Sequence, residues 1–428
     1  MPHAPRPARS RAATTTLVAA LCAALCLALT GTAAPAPASA VASATPASPG
    51  RAAATGTVPL AGYWSYAGGT VKVTARGGTI TAVAATHLGL WGSGLDECIT
   101  WRPGEAAWGA VTGSGLSYTG MVRWWDDTKD PCQSIGDDTQ ASFTVSRDGQ
   151  SLEVCSTPPN DGWRQCYRAS KRPTLVASLG DSYSAGEGAG GYDPASRGCH
   201  RSPYAWTKYL EARNPTRWHV ESFLACSGAE MPNLTGTFKG EGPQVSRIHP
   251  FTEVVTVTIG GNDTGFSDVL TSCFLRWKLH QKNCVQKGKP YRQAKKFVRG
   301  PLASRLGASY QAIRAQAPKD ARLVVVGYPR LFPLRGKAVR KCGWLVPQVR
   351  KALNGLAVEL NNVIRATATR NGATFVDVLD TLSGHEACTG GASWVYPIKP
   401  ATNAQAGHPM ARGQYALARR IGSVLGYS

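Results

Sequence analysis

From residue 172 onward, short apolar runs alternate with longer stretches of helical character. Five runs stand out: Leu175 to Leu179, His219 to Leu224, Val254 to Ile259, Leu323 to Val326 and Thr374 to Val378. Their length is that of buried strands. Pro203 to Arg213, Arg292 to Gln316 and Pro347 to Asn371 read as the clearest helices between them. Strand and helix in alternation predict a parallel sheet covered on both faces. Ligands in such sheets bind at the carboxyl ends of the strands. Residues 56 to 170 follow another period. Thr70 to Thr74 alternates, Gly77-Gly78 turns, and Thr79 to Val83 alternates again. Ala141 to Val145, an Asp148-Gly149 turn and Ser151 to Cys155 repeat that hairpin pattern. This half is predicted to be a small antiparallel barrel or sandwich.

The chain of 428 residues is long enough for two domains. Its first forty residues read as a processing segment: Arg6, Arg9 and Arg11, an apolar run from Leu17 to Leu29, then Ala38-Ser39-Ala40 as a cleavage site. Residues 41 to 55 are an Ala/Pro/Ser-rich linker. Export and release follow, with no membrane-spanning segment expected. Ten cysteines remain after the leader, an even number that implies disulfides in an oxidising compartment. They lack the spacing of a zinc site, and no metal is expected. In the β region, Cys98, Cys132, Cys155 and Cys166 allow three pairings, of which the sequence-local Cys98–Cys132 and Cys155–Cys166 is favoured. Seven tryptophans in that region suit a core better than an exposed ligand platform: Trp64, Trp91, Trp101, Trp108, Trp124, Trp125 and Trp163.

The formal net charge is +21, and the excess is local: Arg276 to Lys351 holds 20 Lys or Arg and a single acid, Asp320. A solvated basic face is the plain reading, and attraction to an anionic lipid surface or acidic polymer is the sharper one. Nucleic acid is not expected, since the segment carries no recognition motif.

Candidate chemistry gathers at the predicted strand ends. The first strand runs into Gly180-Asp181-Ser182, where a serine leaving a buried strand among glycines is exposed as a nucleophile. The second leads to Ala225-Cys226-Ser227-Gly228, where a residue without Cβ lets a backbone N–H approach an oxyanion. The third ends in Gly260-Gly261-Asn262, whose side-chain amide is a neutral donor. Gly407-His408-Pro409 precedes the last helix, and the proline biases His408 toward a loop. His385 competes with it as base.

These blocks together resemble the SGNH/GDSL hydrolase superfamily, most closely its secreted actinobacterial lipases and esterases. The matching stretches are GDSYSAGEG, ACSGA, VTIGGNDTGFSD, VVVGYPR, GHEAC and GHPMARGQ, spread over residues 172 to 428. The resemblance implies a flavodoxin-like, three-layer α/β hydrolase with a five-stranded parallel sheet. It implies Ser182 as nucleophile, His408 as base, and Ser182, Gly228 and Asn262 as oxyanion donors. His385 matches a histidine that is not the base. Cys199–Cys226, Cys273–Cys284 and Cys342–Cys388 match family bridges. Many members place an Asp three residues before the catalytic His; here that residue is Gln405. A Ser–His dyad is therefore expected, with the Gln405 backbone carbonyl accepting from the imidazole, unless a distant acid such as Asp380 takes the role. The implied activity is cleavage of carboxylic esters by a secreted, cofactor-free monomer. Its substrate would be a simple ester or acylglycerol, a phospholipid, or an acetylated polysaccharide. The β region could serve as a binding or targeting module.

Overall fold

A computed structural model of the chain describes residues 59–427 apart from 67–68, 77–78, 86–87, 91–97, 102–103, 124, 127–132, 135–137, 160–161, 281–283, 334–341 and 399–404. The leader and linker expected over residues 1 to 55 lie outside the described residues, as do the Gly77-Gly78 turn, Trp91, Trp124 and Cys132 of the expected Cys98–Cys132 pair.

Eight antiparallel strands close into a barrel, in the order Gly62–Tyr66, Gln165–Lys171, Ser151–Ser156, Thr139–Val145, Ser117–Val122, Ala106–Ser114, Thr79–Ala84 and Gly69–Arg76. Closure, rather than a two-sheet sandwich, removes the open edges on which other chains could pair. The period of two puts Val71 and Val73 inside and turns Lys72 and Thr74 outward. Trp64 and Trp108 fill the barrel with Phe143 and Leu152, and the Trp64 indole donates to the Leu60 carbonyl at 2.8 Å. Trp163 departs from the expected core position, with 79% of its surface exposed. A Cys155–Cys166 disulfide joins residues directly opposite each other on adjacent strands.

The second half is a five-stranded parallel sheet in the order Trp218–Phe223, Thr174–Gly180, Val254–Thr258, Arg322–Val326 and Thr374–Val376. All five match the apolar runs, and Val254–Thr258 is buried along its whole length because helices cover both faces. One core packs the sheet against Phe266–Lys278, Leu302–Gln316 and Pro347–Arg370; the other packs it against Trp206–Arg213 and Ala411–Leu425. The long helix expected from Arg292 to Gln316 is two helices, Lys289–Arg299 and Leu302–Gln316. Gly300-Pro301 divides them, because proline has no N–H to donate and its ring clashes with the preceding turn. The strand Thr174–Gly180 is flanked by the second strand on one side and the third on the other. Chain direction across the sheet reverses there, and a crevice opens at its carboxyl end.

The barrel packs at the opposite end of the strands. Arg172 donates its N–H to the Tyr63 carbonyl at 2.8 Å, Lys72 pairs with Asp320 at 2.6 Å, and Tyr63 lies 6.4 Å from the Phe251 ring. Arg172, Phe251 and Asp320 each lie two or three residues before a sheet strand. A five-residue strand rises about 17 Å, so the barrel stands about one strand length from the carboxyl ends. Among the described residues no helix is long and apolar enough to cross a membrane.

Candidate active site

Ser182 stands two residues beyond the strand Thr174–Gly180, with Asp181 between them. Asp181 caps the short helix Ser182–Ala185 by accepting the Tyr183 N–H at 3.0 Å. The second Asp181 oxygen accepts from the Tyr328 hydroxyl at 2.5 Å, and that hydroxyl accepts the Gly261 N–H at 2.9 Å. The first, third and fourth strand ends are thereby joined. Burial pushes the Asp181 carboxyl up to about 7; the bonds from Tyr328 and the Tyr183 N–H oppose it, and the nearby Asp263 charge adds to it.

His408 reaches Ser182 from a loop 226 residues away, with Nε2 at 2.7 Å from the Ser182 Oγ. The His408 N–H donates to the Gln405 carbonyl at 3.0 Å, forming a turn; the Tyr183 hydroxyl donates to the Gly407 carbonyl at 3.1 Å; and Tyr183 lies 5.2 Å from the imidazole. Gly188 packs under this loop. A Cβ there would meet the His408 Cβ at 2.9 Å, and its φ of +87° also favours glycine. His385 is elsewhere: its Nδ1 bonds the Ala392 carbonyl at 2.6 Å and its ring stacks on Trp394. Asp380 pairs with Arg330 and is two-thirds exposed.

Gly228 follows the second strand at φ +84°, a left-handed geometry that glycine adopts without penalty. Asn262 lies beyond the third strand. Its Nδ2 donates one hydrogen to the Ala229 carbonyl at 2.9 Å, which fixes the amide and leaves the second hydrogen as a donor. The Cys199–Cys226 disulfide ties the loop before Gly228 to the loop carrying His200. Cys273–Cys284 and Cys342–Cys388 are also joined. Ser182, Asn262 and His408 line one cleft with Phe266, Leu270 and Leu360, apolar walls beside a polar end.

Sequence reasoning overlooked Glu187, which lies inside the GDSYSAGEG block. It is fully buried. Its carboxylate accepts from the Ser227 hydroxyl at 2.6 Å, His200 Nδ1 at 2.9 Å and the Tyr192 hydroxyl at 3.0 Å. The Tyr192 hydroxyl in turn accepts from the Gly188 N–H at 2.9 Å and the Gln405 side-chain amide at 2.8 Å. Burial alone would raise the Glu187 carboxyl. The bonds from Ser227 and His200 and the charges of His408 and His200 outweigh it and hold the group below the ordinary carboxylate range. The signal available in sequence was an acid between Gly186 and Gly188, flanked by apolar and small residues where a surface charge would be unusual.

The family model described as GDSL-like Lipase/Acylhydrolase matches residues 178–416. A lipase of Streptomyces rimosus is 36% identical over 243 residues, covering 56% of this chain and 82% of that protein. Among solved structures, phospholipase A1 from Streptomyces albidoflavus NA297 is 36% identical, with a TM-score of 0.51, covering 59% of this chain and 99% of the other. The extracellular lipase from Streptomyces rimosus is 33% identical, with a TM-score of 0.51, covering 58% and 99%.

Proposed function

We propose that this chain, a carboxylic ester hydrolase belonging to the GDSL-like lipase/acylhydrolase family, is exported and cleaves lipid esters through an acyl-enzyme on Ser182, with His408 as base. The reading rests on the 2.7 Å contact between His408 Nε2 and Ser182 Oγ at the switch point of the sheet. His408 takes the hydroxyl proton as the oxygen attacks the ester carbonyl carbon. The carbonyl oxygen gains negative charge and is held by the N–H groups of Ser182 and Gly228 and by the Asn262 amide. The C–O bond to the alcohol then breaks, and the alcohol leaves with the proton from His408. Water, deprotonated by the same imidazole, attacks the acyl-enzyme and releases the acid. No step needs a metal or organic cofactor.

The Gln405 carbonyl orients the imidazole, a role supported by the turn that holds this carbonyl against residue 408. Glu187 supplies the negative charge that the missing Asp would bring. Tyr192 and Gln405 link it to the His408 loop, and Ser227 links it to the Gly228 loop. One buried carboxylate thus braces both the base and an oxyanion donor. The apolar cleft walls support a fatty acyl substrate, and export is supported by the leader pattern at residues 1 to 40. The likeness to a phospholipase A1 favours a second reading, in which diacyl phospholipid is the preferred ester.

Hydrolysis of p-nitrophenyl esters of graded chain length, beside a diacyl phospholipid, tests both. Turnover lost in Ser182→Ala and His408→Ala but only modestly lowered in Gln405→Ala, which keeps the carbonyl and loses the side-chain brace to Tyr192, supports the dyad with its backbone acceptor. A folded wild type inactive on every ester refutes the reading. Faster release from phospholipid than from every simple ester selects the second.

A further inference from the structure

The helix that contributes Phe266 and Leu270 to the cleft continues outward and ends in solvent. Leu275, Trp277 and Leu279 at that end are 48%, 47% and 66% exposed. Val346, 43% exposed, shares a surface hollow with Trp277. Nine large apolar side chains are exposed among the described residues, and four of them are these. Successive helical residues turn by about 100°, so Leu275 and Leu279 share one side while Trp277 faces nearly the other. The helix end therefore exposes apolar groups on two sides, with Arg276 and Lys278 between them. One side of a core would not need that, whereas insertion into an apolar medium would.

The surroundings are cationic. Lys278 ends the same helix, and Lys287, Lys289 and Arg292 follow on the two helices packed beside it. No ion pair among the described residues engages these four. Glu359 is shared by Lys295 and Arg299, and Asp320, the one acid between Arg276 and Lys351, is spent on Lys72 at the barrel junction. Exposed apolar tips rimmed by unmatched cations complement one surface chemistry: apolar chains beneath an anionic headgroup layer.

From this we infer that the end of helix Phe266–Lys278, with Val346, is a docking tip for anionic phospholipid bilayers. Trp277, Leu275 and Leu279 enter the acyl boundary, and Lys278, Lys287, Lys289 and Arg292 meet the headgroups. Leu270 on the cleft wall and Leu279 at the tip are nine residues apart, about 13 Å along the helix. Docking would therefore hold the cleft mouth close to the lipid layer from which an acyl ester is drawn. This deepens the lipid-ester reading above by naming the surface on which the enzyme works.

The test uses the full chain carrying Ser182→Ala, so that vesicles survive, with sedimentation onto phosphatidylcholine vesicles with and without phosphatidylglycerol. We expect binding to the phosphatidylglycerol vesicles that weakens with salt. Trp277→Ala with Leu279→Ala should weaken it at least about tenfold, and Lys278→Glu with Lys287→Glu should weaken it on anionic vesicles only. In the Ser182 background both pairs should hydrolyse soluble p-nitrophenyl acetate at the parent rate, which also reports folding. Failure of the parent to bind, equal binding to both lipids, or an apolar pair that binds like the parent would overturn the tip. So would a concentration-dependent dimer in lipid-free solution that the apolar pair abolishes, since a second copy would then be the occupant. Absence of soluble-ester turnover in the chain that keeps Ser182 and the native tip would instead strike the hydrolase reading, leaving the vesicle result standing.

Discussion

At the carboxyl ends of the sheet strands, charges are buried and bonded several times over. Asp181 takes bonds from Tyr328 and the Tyr183 N–H; Glu187 takes three from three different side chains. At the amino ends, where the barrel packs, the contacts are looser. Lys72 and Asp320 keep 23% and 29% of their side-chain surface, an exposure at which an ion pair contributes little, about 0–1 kcal/mol. The same sheet thus carries a preorganised polar site at one end and a packing junction at the other. Preorganisation matters where charge develops during a reaction, because fixed donors need not reorient. A junction needs only shape and modest charge matching. Substitutions at the two ends should accordingly separate, rate on one side and stability on the other.

The sharpest break of that contrast comes from the pair in contact. Ser182→Ala or His408→Ala should lower kcat on a soluble ester by roughly 10⁴-fold or more, with the thermal midpoint nearly unchanged. Asn262→Ala comes next. Losing one oxyanion donor should cost roughly 10²–10³-fold in kcat with little change in KM, because the donor acts on charge absent from the bound ester. A proportionate rise in KM would instead make Asn262 a ground-state contact.

Glu187→Gln is milder, and its pH profile carries the information. The carboxylate favours the charged form of His408, so removing it makes the imidazole easier to deprotonate. The acid limb of kcat/KM should then move to lower pH, while kcat falls roughly tenfold as the charge that steadies the imidazolium is lost. An unshifted limb with reduced activity would assign Glu187 to structure alone.

The two halves of this site were unequally legible. Ser182, Asn262 and His408 stand in motifs at the ends of strands whose apolar runs mark them, and the order of those motifs carries the family resemblance. Glu187 sits in one of the same motifs, yet its partners Tyr192, His200 and Ser227 come from two further segments, and Gln405, bonded to Tyr192, from a third. No spacing rule joins residues brought together by loop closure. The Gly300-Pro301 break was written in the sequence but masked by helical character continuing on both sides. The exposed tip at Trp277 was unreadable for the converse reason: an apolar residue on a helix predicts burial, and only the packed structure leaves it bare.

At the junction, Glu253 offers the smallest effect on rate and the clearest one on stability. It precedes the third strand, accepts the Leu175 N–H at 3.2 Å, and is pushed by burial up to about 7; that N–H and the Lys171 and Lys72 charges oppose the rise. The folded state therefore holds this proton more tightly than the unfolded chain does. Its contribution to stability is complete below the ordinary Glu value of about 4.5 and is lost as pH rises through about 7. Part of the wild-type thermal midpoint should drain away over that window. Glu253→Gln keeps an acceptor for Leu175 without the ionisation, so its midpoint should stay flatter, and by pH 8 its stability should exceed that of wild type by about a few kcal/mol at most. Turnover at saturating ester should match wild type, since the residue stands about one strand length, roughly 17 Å, from Ser182. A flat wild-type profile would mean that Lys171 and Lys72 neutralise Glu253 in full. A variant equally stable but slow would mean that the amino end of the sheet is coupled to the chemistry after all.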